Sequence, residues 1–367
     1  MKILYAITKA EWGGAQVHVF DLIMHAVQNK HECVLVSGEE GELVERVRGL
    51  GVKVVILETL VREIRIVKDI KAIMGFIGII KNERPHIVHV HSSKAGIIGR
   101  LSCKLTEVPV IFTAHGWAFT EGVSRFRKKM FRLVERICAN ISTKIICVSD
   151  FDRKLALKNN VGNEKKLITI HNGVKNEDFL LEGKPDNLVR IIMVARFSSP
   201  KDYKTLLLAL PKLSGTFKVL LVGDGELLEQ TQEIVYELNL ENVVEFLGMR
   251  KDVKQLLKNC DIFVLTSNYE GLPISIIEAM GSSLPVVASN VGGVNELVIE
   301  NYNGFLVGRG DTIKVAESLQ KLLDNKILRE EMGQASYKRY NEMFTLEKML
   351  SKTFSQYDIV FNTKIGQ

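Results

Sequence analysis

No stretch of this 367-residue chain is apolar enough to cross a bilayer. A spanning helix needs about 18–20 consecutive apolar residues, and the longest runs, such as that at 73–80, are less than half that length. The opening Met-Lys-Ile-Leu-Tyr-Ala-Ile predicts a buried strand, not a secretory signal. The five cysteines (Cys33, Cys103, Cys138, Cys147, Cys260) are odd in number, scattered and without metal-ligand spacing. That excludes a disulfide framework and a zinc ribbon, and predicts reduced, mostly buried thiols in a cytosolic protein. No G-x-G-x-x-G dinucleotide fingerprint follows the first strand. There is no low-complexity segment, and no acidic cluster spaced to hold a metal.

The hydrophobic content of 46% and charged content of 25% are those of a globular protein. The length suits two domains. Charge is uneven: residues 1–180 carry a net +9 and the remainder −3. A basic first half and a near-neutral second half imply different partners for each.

Short β-branched runs at 3–8, 33–37, 52–57, 86–90, 109–114 and 143–148 alternate with helical patterns, for example at 14–29 and 94–105. The alternation restarts at 189–194 and continues through 217–222, 243–247, 262–265 and 285–288. This is the pattern of parallel sheets covered on both faces. Helical patterns near 312–323, 328–341 and 346–357 close the chain. The boundaries expected are a first domain at 1–175, a polar, Gly- and Pro-bearing linker at 176–188, a second domain at 189–345, and a C-terminal helix and tail at 346–367. Two doubly wound α/β halves are expected to face a cleft, with ligands outside the carboxyl ends of the strands.

The most informative stretch is Tyr269-Glu270-Gly271-Leu272-Pro273-Ile274-Ser275-Ile276-Ile277-Glu278, where two acids eight residues apart bracket a turn that opens a helix. Free N–H groups at that helix end suit an anion, and the carboxylates suit hydroxyls. A nucleotide sugar has both. Two unrelated acids, one in a loop and one on a solvated helix face, are the plain alternative. Arg196 and Lys201 flank a proline turn after the first strand of the second half, where two cations can neutralise a diphosphate leaving group without a metal; an ordinary solvated basic loop reads the same way. Gly13-Gly14 opens the first helix and Gly223-Asp224-Gly225 follows a later strand, each explained as well by a tight turn.

His115 stands just past a strand, beside Gly116, where it can reach a ligand or serve the core. His89 and His91 face one side of their strand, but no third ligand is spaced to join them, so packing and hydrogen bonding are favoured over zinc. Asp150-Phe151-Asp152 matches D-x-D, yet helix capping with Ser149 is the better reading. The segment 125–136 is a basic amphipathic helix with six cations. Phe126, Met130, Leu133 and Ile137 share one face, which either packs on the sheet or accompanies contact of the cations with an anionic membrane.

Taken together these residues resemble glycosyltransferase family 4, a retaining family with the GT-B fold. The resemblance covers nearly the whole chain. It rests on Gly13-Gly14-Ala15-Gln16, His91-Ser92-Ser93 with Ala95-Gly96, His115-Gly116, Val148-Ser149 and His171-Asn172-Gly173-Val174 in the first half. In the second it rests on Arg196 and Lys201, Val222-Gly223-Asp224-Gly225, Phe246-Leu247-Gly248, Glu270 and Glu278, and Gly292-Gly293 before Glu296. The resemblance implies two Rossmann-like domains, with C-terminal helices returning to the first, acceptor-binding domain. It implies that Gly14 donates an N–H to the donor's β-phosphate, Arg196 and Lys201 hold the diphosphate, Glu270 the donor sugar and Glu278 the ribose. Backbone at Gly271-Leu272 would meet phosphate, backbone at Met249 the base, and His115 the donor sugar. Ser198-Ser199-Pro200 departs from the hydrophobic or acidic residue more usual there, without altering the role of Lys201.

The activity so implied transfers a sugar from a nucleotide-diphosphate donor, expected to be a UDP-sugar, to a polyprenyl-diphosphate-linked saccharide in bacterial capsule, exopolysaccharide or O-antigen synthesis. No metal, other cofactor or nucleic acid is expected. The location expected is cytoplasmic, peripheral on the inner membrane face through the basic first domain. A small soluble acceptor such as malate, or a sugar-nucleotide 2-epimerase of the same architecture, are the alternatives. The paired glutamates argue against the epimerase, and intact Arg196, Lys201, Glu270 and Glu278 argue against a non-enzymatic scaffold.

Overall fold

A computed structural model describes residues 1–120, 123–175 and 188–365. All of the expected linker except Leu188 lies outside the described residues. The chain forms two compact units, 1–172 with 349–367, and 173–348.

The first unit holds seven parallel strands: β1 (Lys2–Ile7), β2 (Glu32–Ser37), β3 (Lys53–Ile56), β4 (Ile87–His91), β5 (Val110–Ala114), β6 (Lys144–Cys147) and β7 (Leu167–Thr169). Their spatial order is β3-β2-β1-β4-β5-β6-β7. Between them lie α1 (Gly14–Gln28), α2 (Glu42–Gly49), α3 (Ile66–Glu83), α4 (Ser93–Thr106), α5 (Arg125–Ile141) and α6 (Asp150–Lys158). Every residue of β4 and β5 is buried, as central strands covered on both faces must be. β7 was not expected; three residues, Leu167-Ile168-Thr169, are too few to show a period.

The second unit has six parallel strands: β8 (Val189–Val194), β9 (Phe217–Val222), β10 (Val244–Gly248), β11 (Ile262–Leu265), β12 (Val286–Ser289) and β13 (Gly304–Val307), in the order β10-β9-β8-β11-β12-β13. Its helices are α7 (Tyr203–Ala209), α8 (Leu228–Glu237), α9 (Val253–Lys258), α10 (Ile274–Gly281), α11 (Val294–Leu297), α12 (Thr312–Asp324) and α13 (Lys326–Met343). Each sheet reverses its strand order once, at β1/β4 and at β8/β11. Such a reversal opens a crevice at the carboxyl ends of the two strands.

The last helix, α14 (Leu346–Ile365), belongs from Met349 onward to the first unit. Aromatic side chains anchor it there. Phe354 meets the ring of His25 edge-on at 4.7 Å, and a 2.6 Å hydrogen bond joins Tyr357 Oη to His89 Nδ1. All five cysteines are free, four of them buried.

α4 packs against both α3 and α5. The α4–α5 contact is built around a buried ion pair, Arg100 Nη2 to Glu135 Oε2 at 2.8 Å, with Arg100 Nε also donating to Gly96 O at 2.7 Å. The guanidinium lies 4.2 Å over the Phe112 ring. The side of α5 facing the sheet is therefore Phe131, Glu135, Cys138 and Ala139. Phe126, Leu133 and Ile137 point to solvent, at 79%, 58% and 54% exposure. This corrects the sheet-packing reading of that stripe. Removing one member of such a pair strands a buried charge, at a cost of about 3–5 kcal/mol. Glu135→Ala should lower unfolding stability by that order, and pairing it with Arg100→Met should restore much of the loss. Chemical denaturation checks it; an unaffected single variant would show that the pair carries no structural weight.

Candidate functional site

In the second unit the loops leaving β8 and β11, the strands at the order reversal, are stitched together. Asp202 N donates to Thr266 O at 3.1 Å, Thr266 Oγ1 to Asp202 O at 2.7 Å, and Asn268 N to Pro200 O at 2.9 Å. Asp202 also caps α7 through Thr205, whose N–H and hydroxyl it accepts at 3.2 and 2.6 Å. These bonds fix Lys201 opposite Glu270. Lys201 Nζ donates to Glu270 Oε1 at 2.5 Å, and Glu270 is buried.

Glycine makes the close approach possible. Gly292 has φ +57°, and a Cβ there would stand 1.7 Å from the carbonyl oxygen of Glu270, while Gly293 N donates to Gly271 O at 2.9 Å. Gly223 is equally constrained: a Cβ would meet Ala195 O at 2.0 Å, on the loop that carries Arg196. The Gly-Asp-Gly turn thus serves close packing of two loops.

Gly271 and Leu272 lead into α10, with Leu272 buried. Pro273, as N-cap, gives the first N–H groups of α10 no side-chain acceptor. Glu278 lies half-buried on α10. Arg196 is exposed on the β8 loop. Met249, 67% exposed, follows the edge strand β10, two strands from β8. Of the residues expected in this half, Lys201 and Glu270 touch. Arg196, Gly271, Leu272 and Glu278 share their loops or the helix that follows, and Met249 sits apart.

In the first unit the loops after β1 and β4 are joined by Thr8 and Ser92, whose hydroxyls lie 2.8 Å apart. Gly14 opens α1 behind Gly13, whose carbonyl accepts from Val17 N at 2.9 Å. At the same sheet end His115, after β5, lies beside two histidines that sequence spacing did not connect to it. A 3.2 Å hydrogen bond joins His115 Nε2 and His91 Nδ1, and the His18 ring, from α1, meets His115 edge-on at 5.0 Å. The His89 ring lies 4.1 Å from that of His91, tilted by 42°, and bonds Thr113 Oγ1 at 2.7 Å. The trio His18, His91 and His115 brings three ring nitrogens within 4.8 Å of one another, a donor set that could hold a metal. His18 stands four residues past Gly14, so its place on the buried side of α1 was the one available signal.

Burial lowers the pKa of all four rings, His18 to about 4 and His89, His91 and His115 well below the ordinary value of 6.5. They are neutral in the native state. Asp152 is buried and structural: Ser149 caps α6 by accepting from Asp152 N at 3.0 Å and donates to Asp152 Oδ2 at 2.9 Å, while the exposed Asp150 accepts at Oδ1 from Thr169 Oγ1 at 2.5 Å.

The lowered histidine pKa values set a pH dependence. Below 6.5 the unfolded chain binds protons that the folded chain refuses, so stability is full above 6.5 and falls with pH toward 4. His18→Phe should flatten this part of the profile. Melting midpoints of both proteins across that window decide it, and parallel profiles would exclude His18 as a source of the acid sensitivity.

Comparison with known proteins meets this geometry. The family described as Glycosyltransferase Family 4 matches residues 12–178, and Glycosyl transferases group 1 matches 174–339. The chain is 31% identical over 312 residues, 80% of each chain, to the Escherichia coli UDP-Gal:alpha-D-GlcNAc-diphosphoundecaprenol alpha-1,3-galactosyltransferase. It is 27% identical over 340 residues, 86% of this chain and 89% of the relative, to the Campylobacter jejuni N,N'-diacetylbacillosaminyl-diphospho-undecaprenol alpha-1,3-N-acetylgalactosaminyltransferase. Its fold matches Anabaena HepE, solved with UDP and glucose, at a TM-score of 0.82 and 20% identity over 98% of this chain and 99% of that one. Two parallel Rossmann-like sheets and these matches assign the chain to glycosyltransferase family 4, as an enzyme of the GT-B fold.

Proposed function

We propose that this glycosyltransferase moves a sugar, with retention, from a UDP-sugar to a polyprenyl-diphosphate-linked saccharide in bacterial surface polysaccharide synthesis. The observation that carries the donor half is the Lys201–Glu270 pair at the carboxyl ends of the two strands flanking the order reversal. The acceptor half draws on the 31% identity to an enzyme named for a diphosphoundecaprenol-linked substrate.

On this reading the paired side chains exchange partners when donor binds. The diphosphate takes Lys201 and Arg196, and Glu270, released, accepts hydrogen bonds from the donor sugar's hydroxyls. Glu278 holds the ribose, backbone at Gly271–Leu272 the phosphate and backbone at Met249 the base. In the first unit the Gly14 N–H serves the β-phosphate, and His115, neutral, contacts the sugar. As the C1–oxygen bond to the diphosphate breaks, charge grows on the leaving oxygens, and the two cations stabilise it without a metal. The basic first domain draws the enzyme to the inner membrane face, where the acceptor resides. Release of UDP from a panel of UDP- and GDP-sugars, with and without a diphosphoundecaprenol-linked acceptor, tests the whole reading. Acceptor-dependent release from a UDP-sugar is expected; transfer confined to a small soluble acceptor would replace it.

Loss of Lys201 should cost on the order of 3 kcal/mol in transition-state stabilisation, about a hundredfold in turnover. Turnover in excess EDTA should be unchanged. Near-normal activity of Lys201→Ala, or abolition by EDTA, would sink the metal-free assignment.

The two glutamates should separate. Glu270→Ala should chiefly lower turnover, whereas Glu278→Ala should chiefly weaken donor and free UDP binding. Calorimetry with UDP decides: an unchanged affinity in Glu278→Ala contradicts its ribose role.

A further inference from the structure

The solvent face of α5 has a counterpart on α3. Ile66, Val67, Ile70 and Met74 are exposed at 74%, 68%, 53% and 66%. At 100° per residue these four fall within an arc of about 100° on α3, and Phe126, Met130, Leu133 and Ile137 within about 60° on α5. The opposite faces of the two helices bury Ala72, Phe76 and Ile80, and Glu135, Cys138 and Ala139. Both stripes are therefore surplus to the core. Isolated exposed apolar residues are ordinary, but two continuous stripes are not.

Cations flank both. Arg62, Arg65, Lys68 and Lys71 are exposed around the first, and Arg125, Arg127 and Lys129 around the second. Of the acids nearby, Asp69 is paired with Lys94 at 2.7 Å and Glu135 with Arg100, and Glu63 is exposed between Arg62 and Arg65, so the four cations around the first stripe outnumber its open acid. Right-handed crossovers put α3, α4 and α5 on one side of the first sheet, running the same way, and α4 packs between the other two. The α3 stripe occupies the N-terminal half of its helix, and the α5 stripe starts in the first turn, at Phe126, and runs on to Ile137. Both therefore start toward the carboxyl ends of the strands, the end that carries Gly14 and His115.

We propose that these two stripes form one bilayer-docking face of the first unit. The apolar side chains enter the acyl boundary of an anionic membrane while the flanking cations hold its phosphates. This rests on the lipid-linked acceptor reading and deepens it: contact is by apolar insertion through two helices as well as by charge. Amphipathic helices of this kind lie in the interface plane with their apolar faces in the headgroup–acyl boundary, and neighbouring basic residues select anionic lipid. The surplus of positive charge around both stripes favours that occupant over a second, equally basic copy of the chain.

The test is flotation of the full chain with phosphatidylglycerol-containing and with pure phosphatidylcholine vesicles, no acceptor present. Wild type should float with the anionic vesicles only, and less well at high salt. The variant Ile66→Ser/Val67→Ser/Ile70→Ser/Met74→Ser should lose at least tenfold in vesicle affinity. Replacing Arg127, Lys128, Lys129 and Arg132 by Gln should also weaken binding. Because the α3 side chains are exposed, the serine variant should keep its melting midpoint. It should also keep transfer to a short-chain, water-soluble diphosphate-linked acceptor within about twofold, and lose transfer to the same acceptor embedded in vesicles. Tryptophan at position 70 (Ile70→Trp) should shift its emission to the blue on adding anionic vesicles. Full flotation of the serine variant, or an unshifted Trp, overturns the proposal. So does a wild-type dimer in sedimentation that the serine variant abolishes, which would assign the face to a second copy. Vesicle binding without any transfer leaves the docking face standing and removes the acceptor reading instead.

Discussion

Every crossover within both sheets joins parallel strands, and a right-handed crossover can advance in only one direction on a given face of a sheet. When the strand order reverses, the connections on either side of the reversal pass to opposite faces. The two loops at that point are then left without a covering helix. The chain uses this twice. At β8/β11 the reversal brings Lys201 against Glu270, 69 residues later. At β1/β4 it brings Thr8 against Ser92, 84 residues later. The close pairing of distant loops is thus a consequence of topology, secured by small residues such as Gly292 where the backbones nearly touch.

The two reversal points differ in electrostatic character. In the second unit a lysine and a glutamate of opposite charge pair directly with each other. In the first unit burial strips four histidines of charge. A neutral imidazole can donate or accept a hydrogen bond without adding a cation to its surroundings. Desolvation is the dominant cause at all four rings, so their neutrality follows from packing on β4, β5 and α1 and needs no dedicated partner.

Much of this was legible in the sequence. The parallel-sheet alternation, the restart at residue 189 and the expected GT-B class all appear in the structure, because buried central strands write long Val- and Ile-rich runs. The strands β7 and β13 were missed: β7 has three residues, too few for a period to register, and β13 is an edge strand that opens on a glycine, Gly304, leaving only Phe305, Leu306 and Val307 as an apolar run. The histidine grouping was missed for a different reason. His18, His91 and His115 come from a helix and two strand ends, and their convergence depends on strand order, which spacing along the chain does not encode. Spacing singled out Glu270 and Glu278, but the contact of Glu270 with Lys201, 69 residues earlier, depends on strand order in the same way.

The basic helix shows where pattern reading meets its physical limit. Periodicity locates an apolar stripe on a helix but does not say which side meets the sheet. In α5 the sheet side is made by Phe131, by the small residues Cys138 and Ala139, and by a glutamate that only Arg100 makes tolerable there. A carboxylate is a natural marker of an outer face, so Glu135 turns the usual inference around. Once that ion pair is in place, the helix is held to the core by its less apolar side. The side with Phe126, Leu133 and Ile137 is left facing outward, where apolar surface is unfavourable in water. The same arrangement recurs on α3, where Ile66, Ile70 and Met74 face out while Phe76 and Ile80 fill the core. Two helices of one layer that both turn hydrophobic stripes away from the sheet, among cations, keep an unfavourable exposure that folding alone does not require.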